Sequence, residues 1–159
     1  MIPARQWISL AVSVGICLGA VGIGSVLTRP SIATWYATLR KPPWTPPNWV
    51  FGPVWTVLYL SMAVAAWWVW HQVGFSHGKV PLTLFAVQLA FNVAWSGIFF
   101  GLRFPGGAFL EVVFLWLFIL WTAIAFWPVS RTASWLMVPY LTWVTYAGAL
   151  NAAIWRMNA

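Results

Sequence analysis

Five stretches of the chain, 7–27, 49–70, 80–102, 106–127 and 134–155, are each 21 to 23 residues long and hold one charged residue among them, Glu111. A bilayer core requires about 20 consecutive apolar residues of a crossing helix, and these stretches take up most of the 159 residues. No room remains for a second, soluble domain. Only 6% of residues are charged, against roughly a quarter in soluble domains. The expected fold is therefore an all-α membrane protein, residues 1–159 forming a single domain of five transmembrane helices in one bundle.

Charge and composition narrow the chemistry further. Eight Lys and Arg face a single acidic residue, giving a net charge of +7. The imbalance comes from missing carboxylates rather than from a basic cluster, so no nucleic-acid partner is expected. There is no Asp, which removes aspartic dyads, Ser-His-Asp triads and carboxylate-bridged metal pairs. His71 and His77 are six residues apart in what reads as a Gly-rich connection, a spacing that does not place them on one helix face. They are expected to be solvated loop histidines; no metal site and no strong axial haem ligand follow from them. Cys17 has no partner for an intramolecular disulfide.

The connections carry Pro, Gly and the basic residues. Arg5, Lys79 and Arg131 lie on one side, and Arg29, Arg40, Lys41, Arg103 and Arg156 on the other, which directs the long first loop and the C-terminus to the cytoplasm. Trp7, Trp49, Trp70, Trp127, Trp135 and Trp155 stand near span ends, where an amphipathic ring suits the headgroup level of membrane lipid. In the first loop, 29–47, Ser31 is placed to cap a short amphipathic helix with Ile32, Trp35, Tyr36 and Leu39 on one stripe, ended by Pro42-Pro43. Such a helix rests on lipid or forms a lid over a cavity between helices.

Helical wheels select three faces. In the third span Leu84, Gln88, Asn92, Trp95 and Phe99 align, opposite a small-residue face of Ala86, Ala90, Gly97 and Gly101. An amide pair is costly in hydrocarbon, so Gln88 and Asn92 should point into the bundle. The small face permits close helix approach and is the expected homodimer interface, with Gly15 and Gly19 as a rival seam. Phe51, Trp55, Tyr59, Met62 and Ala66 form a stripe on the second span, and Tyr140, Trp143, Ala147, Asn151 and Ile154 one on the fifth. Pro53 and Pro139 are expected to kink these helices and widen a cavity. Flat aromatics with a few amides suit a large, flat, mostly apolar guest. Glu111, near the start of the fourth span, reads as a snorkelling or Arg103-paired carboxylate in preference to a proton-coupling site.

The motifs also resemble a known family. Trp35-Tyr36-x-x-Leu39-x-Lys41-Pro42-x-Trp44-x-Pro46-Pro47 is followed by Phe51-Gly52-Pro53-Val54-Trp55-x-x-Leu58-Tyr59, by Gln88-Leu89-Ala90-x-Asn92-x-x-Trp95 with Phe99-Phe100-Gly101, and by Val138-Pro139-Tyr140-Leu141-x-Trp143 with Leu150-Asn151. In this order they resemble the tryptophan-rich sensory protein or translocator protein (TspO/MBR) family, also called peripheral-type benzodiazepine receptors. The resemblance implies a five-helix bundle, commonly dimeric, that binds protoporphyrin IX or haem as ligand, with no obligatory cofactor, in a pocket under the first loop. Tyr36, Trp55, Asn92, Trp143 and Ala147 match the pocket motif. Together with the wheels, the candidate ligand-binding set is Trp35, Tyr36, Phe51, Trp55, Gln88, Asn92, Trp95, Tyr140, Trp143 and Ala147.

Among the animal relatives a C-terminal sterol pattern places a Tyr where this chain has Ala153, so sterol binding is not carried over. The short tails fit a bacterial cell membrane. The resulting expectation is a sensor or transporter of porphyrins. Light-dependent protoporphyrin breakdown, in which Trp143 and Tyr36 are the oxidisable candidates, is family chemistry that needs no acid–base constellation. The alternatives are a small proton-coupled exporter using Glu111 and a purely structural scaffold.

Overall fold

A computed structural model of the chain describes residues 4–159, with side-chain surroundings from residue 6 onward; Arg5, counted in the charge balance, lies outside those side chains. Six α-helices follow in order: α1 Ala4–Ile32, α2 Trp35–Thr38, α3 Asn48–His77, α4 Lys79–Ser96, α5 Pro105–Phe126 and α6 Arg131–Asn158, with a π-helical turn, Gly97–Gly101, extending α4. There is no strand among the described residues.

Four helical segments are long and apolar enough to cross a membrane: Gln6–Ile32, Asn48–His77, Lys79–Gly101 and Pro105–Phe126. α6, at 28 residues, is long enough but carries Ser, Thr, Tyr and Asn along its length and is less apolar. The long helices close a ring, since α1 packs on α3, α3 on α6, α6 on α5, α5 on α4 and α4 back on α1. Small residues and hydroxyls make the close approaches, as expected where lipid offers little hydrophobic drive for association. Ser13 Oγ donates to the Ala63 carbonyl at 2.7 Å beside buried Ala65 and Ala66, and Ser134 Oγ donates to the Ala123 carbonyl at 2.7 Å. Trp7, Trp49, Trp127, Trp135 and Trp155 are exposed near helix ends, as interfacial anchors should be.

Several local expectations are corrected. The second span does not stop at Trp70; α3 continues to His77, because no Gly or Pro stands between Trp70 and Gly74 to end it there. His71 and His77 are therefore helical rather than in a loop, both exposed, and His71 stacks on Trp67 with ring centroids 5.8 Å apart. The residue that departs from helical backbone in α3 is Gly74, at φ 66°, and not Pro53. That left-handed conformation favours glycine, and a Cβ on the following connector, Gly78, would stand 2.7 Å from the Gly74 carbonyl.

Ser31 caps nothing. It lies in the last turn of α1, and its Oγ donates to the Phe100 carbonyl at 2.8 Å. That carbonyl sits where the chain leaves the π-helical turn, among acceptors that a helix end leaves without internal partners. The loop helix is a single turn, Trp35–Thr38.

Candidate functional site

The C-terminal ends of α1, α4 and α6 and the N-terminal ends of α3 and α5 meet at the end of the bundle that carries the first loop. There a cavity of about 440 Å³ opens, lined by α1, α3, α4 with its π-helical turn, α6 and Tyr36 of the first loop, within the size range of ligand pockets.

Its inner wall is built on Asn92. The Tyr59 hydroxyl donates to Asn92 Oδ1, and Asn92 Nδ2 donates to the Tyr140 hydroxyl at 2.7 Å, so one amide joins α3, α4 and α6. The helical spacing of Asn92 and Trp95 repeats the device a turn later. Trp95 Nε1 donates to Asn151 Oδ1 at 3.0 Å, and Asn151 Nδ2 donates to the Pro105 carbonyl at 2.8 Å, bringing in α5. The buried amides of Asn92 and Asn151 are thus satisfied by groups from several helices, which holds the helices in register.

Aromatic rings form the sides. Phe51 meets Trp143 edge-on at 5.9 Å, Trp55 meets Tyr140 at 6.1 Å, and Trp95 stacks on Phe99 at 5.2 Å. Trp143 lines the cavity, and its buried indole Nε1 has no hydrogen-bond partner among the described residues. Over this basin the first loop places Tyr36, buried and packed on Phe99 and Phe100, with Lys41 Nζ 4.5 Å above its ring. Burial pushes the Tyr36 phenol above its ordinary pKa and the Tyr146 phenol adds to the rise, so Tyr36 stays neutral at physiological pH. The loop is held down on α6, where the Tyr146 hydroxyl donates to the Trp44 carbonyl at 2.7 Å and Asn158 bonds to Arg40.

Of the candidate ligand-binding residues, Tyr36, Phe51, Trp55, Asn92, Trp95, Trp143 and Ala147 line the cavity. Three stand behind the wall. Trp35 packs on Phe99 at 5.6 Å, Tyr140 is fully buried under Asn92 and Trp55, and Gln88 is fully buried deeper in the bundle with its Nε2 3.9 Å from Met62 Sδ and its Oε1 unpartnered among the described residues. Sequence reasoning missed the α1 wall, Val21 to Ile32 including Ser25, Thr28 and Arg29, along with Asn48, Thr56 and Ser96. Leu150, Phe100 and Ile154 complete the basin near Tyr36.

Glu111 departs from its expected place. It is neither snorkelling nor paired with Arg103: it is buried on the inner face of α5, and neither carboxylate oxygen has a hydrogen-bond partner among the described residues. Six residues past Pro105 it is near enough to the helix end to reach the interface, but the inward rotation of α5 turns it from the lipid. It does not line the cavity, and neither do His71 and His77.

On the small-residue face, Ala86, Ala90 and Gly101 are exposed, whereas a Cβ on Gly97 would meet Leu27 of α1 at 3.7 Å. Gly97 therefore belongs to a seam within the chain. Among the described residues, no side chain stands within 4 Å of the Cβ position of Gly15 or Gly19.

Residues 11–156 match the family model described as the TspO/MBR family. The chain is 42% identical over 161 residues to the tryptophan-rich protein TspO of Chlorobaculum tepidum, covering 97% of this chain and 98% of that protein. It is 41% identical over 138 residues to the translocator protein of Bos taurus, covering 86% of this chain and 82% of the relative. It is 40% identical over 140 residues to the tryptophan-rich sensory protein of Cereibacter sphaeroides, covering 88% and 85%. With these matches spanning the four apolar helices and the aromatic basin alike, the chain is an integral membrane protein and belongs to the TspO/MBR family.

Proposed function

We propose that the protein binds protoporphyrin IX or haem in the aromatic basin and acts as a sensor or transporter of porphyrins, with light-dependent breakdown of bound protoporphyrin as an accompanying activity. The observation that carries this reading is the basin itself, about 440 Å³ with indole and phenyl rings from α3, α4 and α6 around it and Tyr36 above. Such walls favour a wide, flat, apolar guest, since aromatic rings pack well in offset and edge-on arrangements. The printed names of the relatives, translocator protein and tryptophan-rich sensory protein, are consistent with moving or sensing a ligand. In the light-dependent step the excited porphyrin and dioxygen furnish the oxidising species, and the protein contributes proximity and an oxidisable ring, for which Trp143 is well placed.

In this reading α6 is a fifth membrane span. Its 28 residues extend about 42 Å at 1.5 Å per residue, more than the roughly 30 Å hydrocarbon core. Its polar side chains are tolerated because Tyr140 and Asn151 face the bundle and are hydrogen-bonded there. The first loop and the C-terminus lie in the cytoplasm of a bacterial cell, on the side that carries Arg29, Arg40, Lys41, Arg103 and Arg156. Two chains pair through Ala86, Ala90 and Gly101. Titrating the purified protein with protoporphyrin while following quenching of its 15 Trp tests the binding; saturable quenching is expected, and quenching that only grows linearly with added porphyrin overturns it.

A second reading, a proton-coupled exporter, is favoured by one observation: Glu111 is buried with both oxygens unpartnered among the described residues. A buried intramembrane carboxylate commonly marks a proton relay. Under the tetrapyrrole reading Glu111→Gln leaves porphyrin affinity within about threefold at every pH, because Glu111 stands outside the cavity lining. A pH-dependent affinity that disappears in the variant would select the exporter.

A further inference from the structure

Among the described residues that line the cavity, Arg29 alone is charged. It stands in the last turn of α1, lines the basin and is exposed to solvent, which puts it at the cavity opening. A cation at a helix C-terminus meets the negative end of the helix dipole, and this accounts for its place in sequence. The dipole does not account for a guanidinium bordering a basin whose walls are otherwise aromatic or neutral.

No side-chain carboxylate in the protein is available to it. Glu111 is the only acidic residue, and it is buried with neither oxygen bonded among the described residues. Two of the lining hydroxyls are already committed as donors, Thr28 Oγ1 to the Gly24 carbonyl at 2.7 Å and Thr56 Oγ1 to the Gly52 carbonyl at 2.9 Å. The other side-chain donors of the lining, among them Ser25, Ser96 and the Trp143 indole, are neutral, so Arg29 is the one that meets an anion with opposite charge. The cavity thus has a guanidinium donor fork at its opening, of the geometry that takes a carboxylate by two parallel hydrogen bonds.

We propose that Arg29 is an anion-reading subsite which pairs with a carboxylate on the edge of a flat guest, so that the site selects acidic tetrapyrroles over their neutral esters. This rests on the tetrapyrrole reading and deepens it by naming the charge of the ligand. The aromatic basin holds the ring system, and Arg29 fixes which edge faces the opening. A guest without carboxylates fills the basin equally well but leaves the guanidinium to water.

The test compares protoporphyrin IX, a diacid, with its dimethyl ester, each titrated against wild type, Arg29→Gln and Arg29→Lys in neutral detergent. Each variant is compared with wild type for the same ligand, so differences in micelle partitioning cancel. Arg29→Gln is expected to weaken the diacid about five- to tenfold and to leave the ester within twofold, with Arg29→Lys between; the wild-type preference should shrink as salt is raised. Unchanged diacid binding in Arg29→Gln, or an equal loss for both ligands, overturns the subsite while leaving the basin intact. Loss of the Arg29-dependent preference on adding a few phosphatidylglycerol molecules per micelle assigns the guanidinium to lipid headgroups and also overturns it. Wild type that saturates with neither porphyrin overturns the tetrapyrrole reading, and the subsite with it.

Discussion

Arg40 and Asn158 grip one another through a single amide: the Arg40 N–H donates to Asn158 Oδ1 at 3.0 Å, and Asn158 Nδ2 donates to the Arg40 carbonyl at 2.9 Å. They are 118 residues apart in the chain. The pair ties the middle of the roofing loop, just past α2, to the last turn of α6, and it is exposed, so water can replace either bond.

Asn158→Ala is therefore expected to loosen the roof without disturbing the basin. Exposed hydrogen bonds of this kind contribute about 1 kcal/mol, a factor near five. Stopped-flow dissociation of porphyrin should be about fivefold faster in the variant, with the thermal midpoint in detergent within a few degrees of wild type. An unchanged off-rate would mean that the loop does not limit escape.

The Asn92 bridge should behave in the opposite way, as a stability element. Asn92→Leu leaves the Tyr59 and Tyr140 hydroxyls without the partner they share. Unsatisfied buried hydroxyls cost about 1–3 kcal/mol, although pairs inside membrane bundles fall toward the lower end. The expected outcome is a clear fall in thermal midpoint, rescued in part by also replacing Tyr59 and Tyr140 with Phe. A double-mutant cycle measured in one detergent decides it.

Trp143→Phe separates binding from photochemistry. Phe keeps the edge-on contact with Phe51 but loses the unpartnered indole N–H and is harder to oxidise. Porphyrin affinity should fall by no more than about tenfold, or ~1.4 kcal/mol. Light-dependent loss of bound protoporphyrin should fall further. Equal degradation rates under matched illumination would remove Trp143 from the photochemical step.

For assembly, the contact of Gly97 with Leu27 shifts the choice of probe to exposed positions. Ala86→Leu with Ala90→Leu should move the protein toward monomer, because enlarged side chains hold the backbones apart and lipid offers little compensation. Porphyrin binding should persist, since both residues lie outside the cavity lining. Gly19→Leu is the control and should have the smaller effect. An intact dimer in the Ala86, Ala90 pair beside a monomeric Gly19→Leu, read by mass measurement in mild detergent, would place the interface on α1.

The sequence made the α3, α4 and α6 walls readable because each carries aromatic or amide residues at helical spacing, so Trp55, Asn92 and Trp143 announce an inward face. α1 offers no such stripe. Its apolar and small residues run all round the helix, and only packing against α3 and α4 shows that Thr28 borders the basin and that Arg29 stands at its opening. Glu111 failed for a related reason, since depth along a helix was legible but rotation about its axis was not. The π-helical turn at Gly97–Gly101 has no local signature either. It forms where the end of α4 also takes the Ser31 hydrogen bond from α1, a partner 69 residues away.

The closed ring of helices also orders events during biosynthesis. Chains emerge and fold from the N-terminus, yet the basin takes Trp143, Ala147 and Asn151 from α6, and its roof is fastened by Asn158 in the last turn of that helix. A nascent chain holding α1 through α5 is a partial ring with an open seam between α3 and α5, unable to retain a flat guest. Under the proposed tetrapyrrole reading, ligand capture would report that α6 has joined the bundle, and a fusion partner placed directly after Ala159 would press on the fastening of the roof.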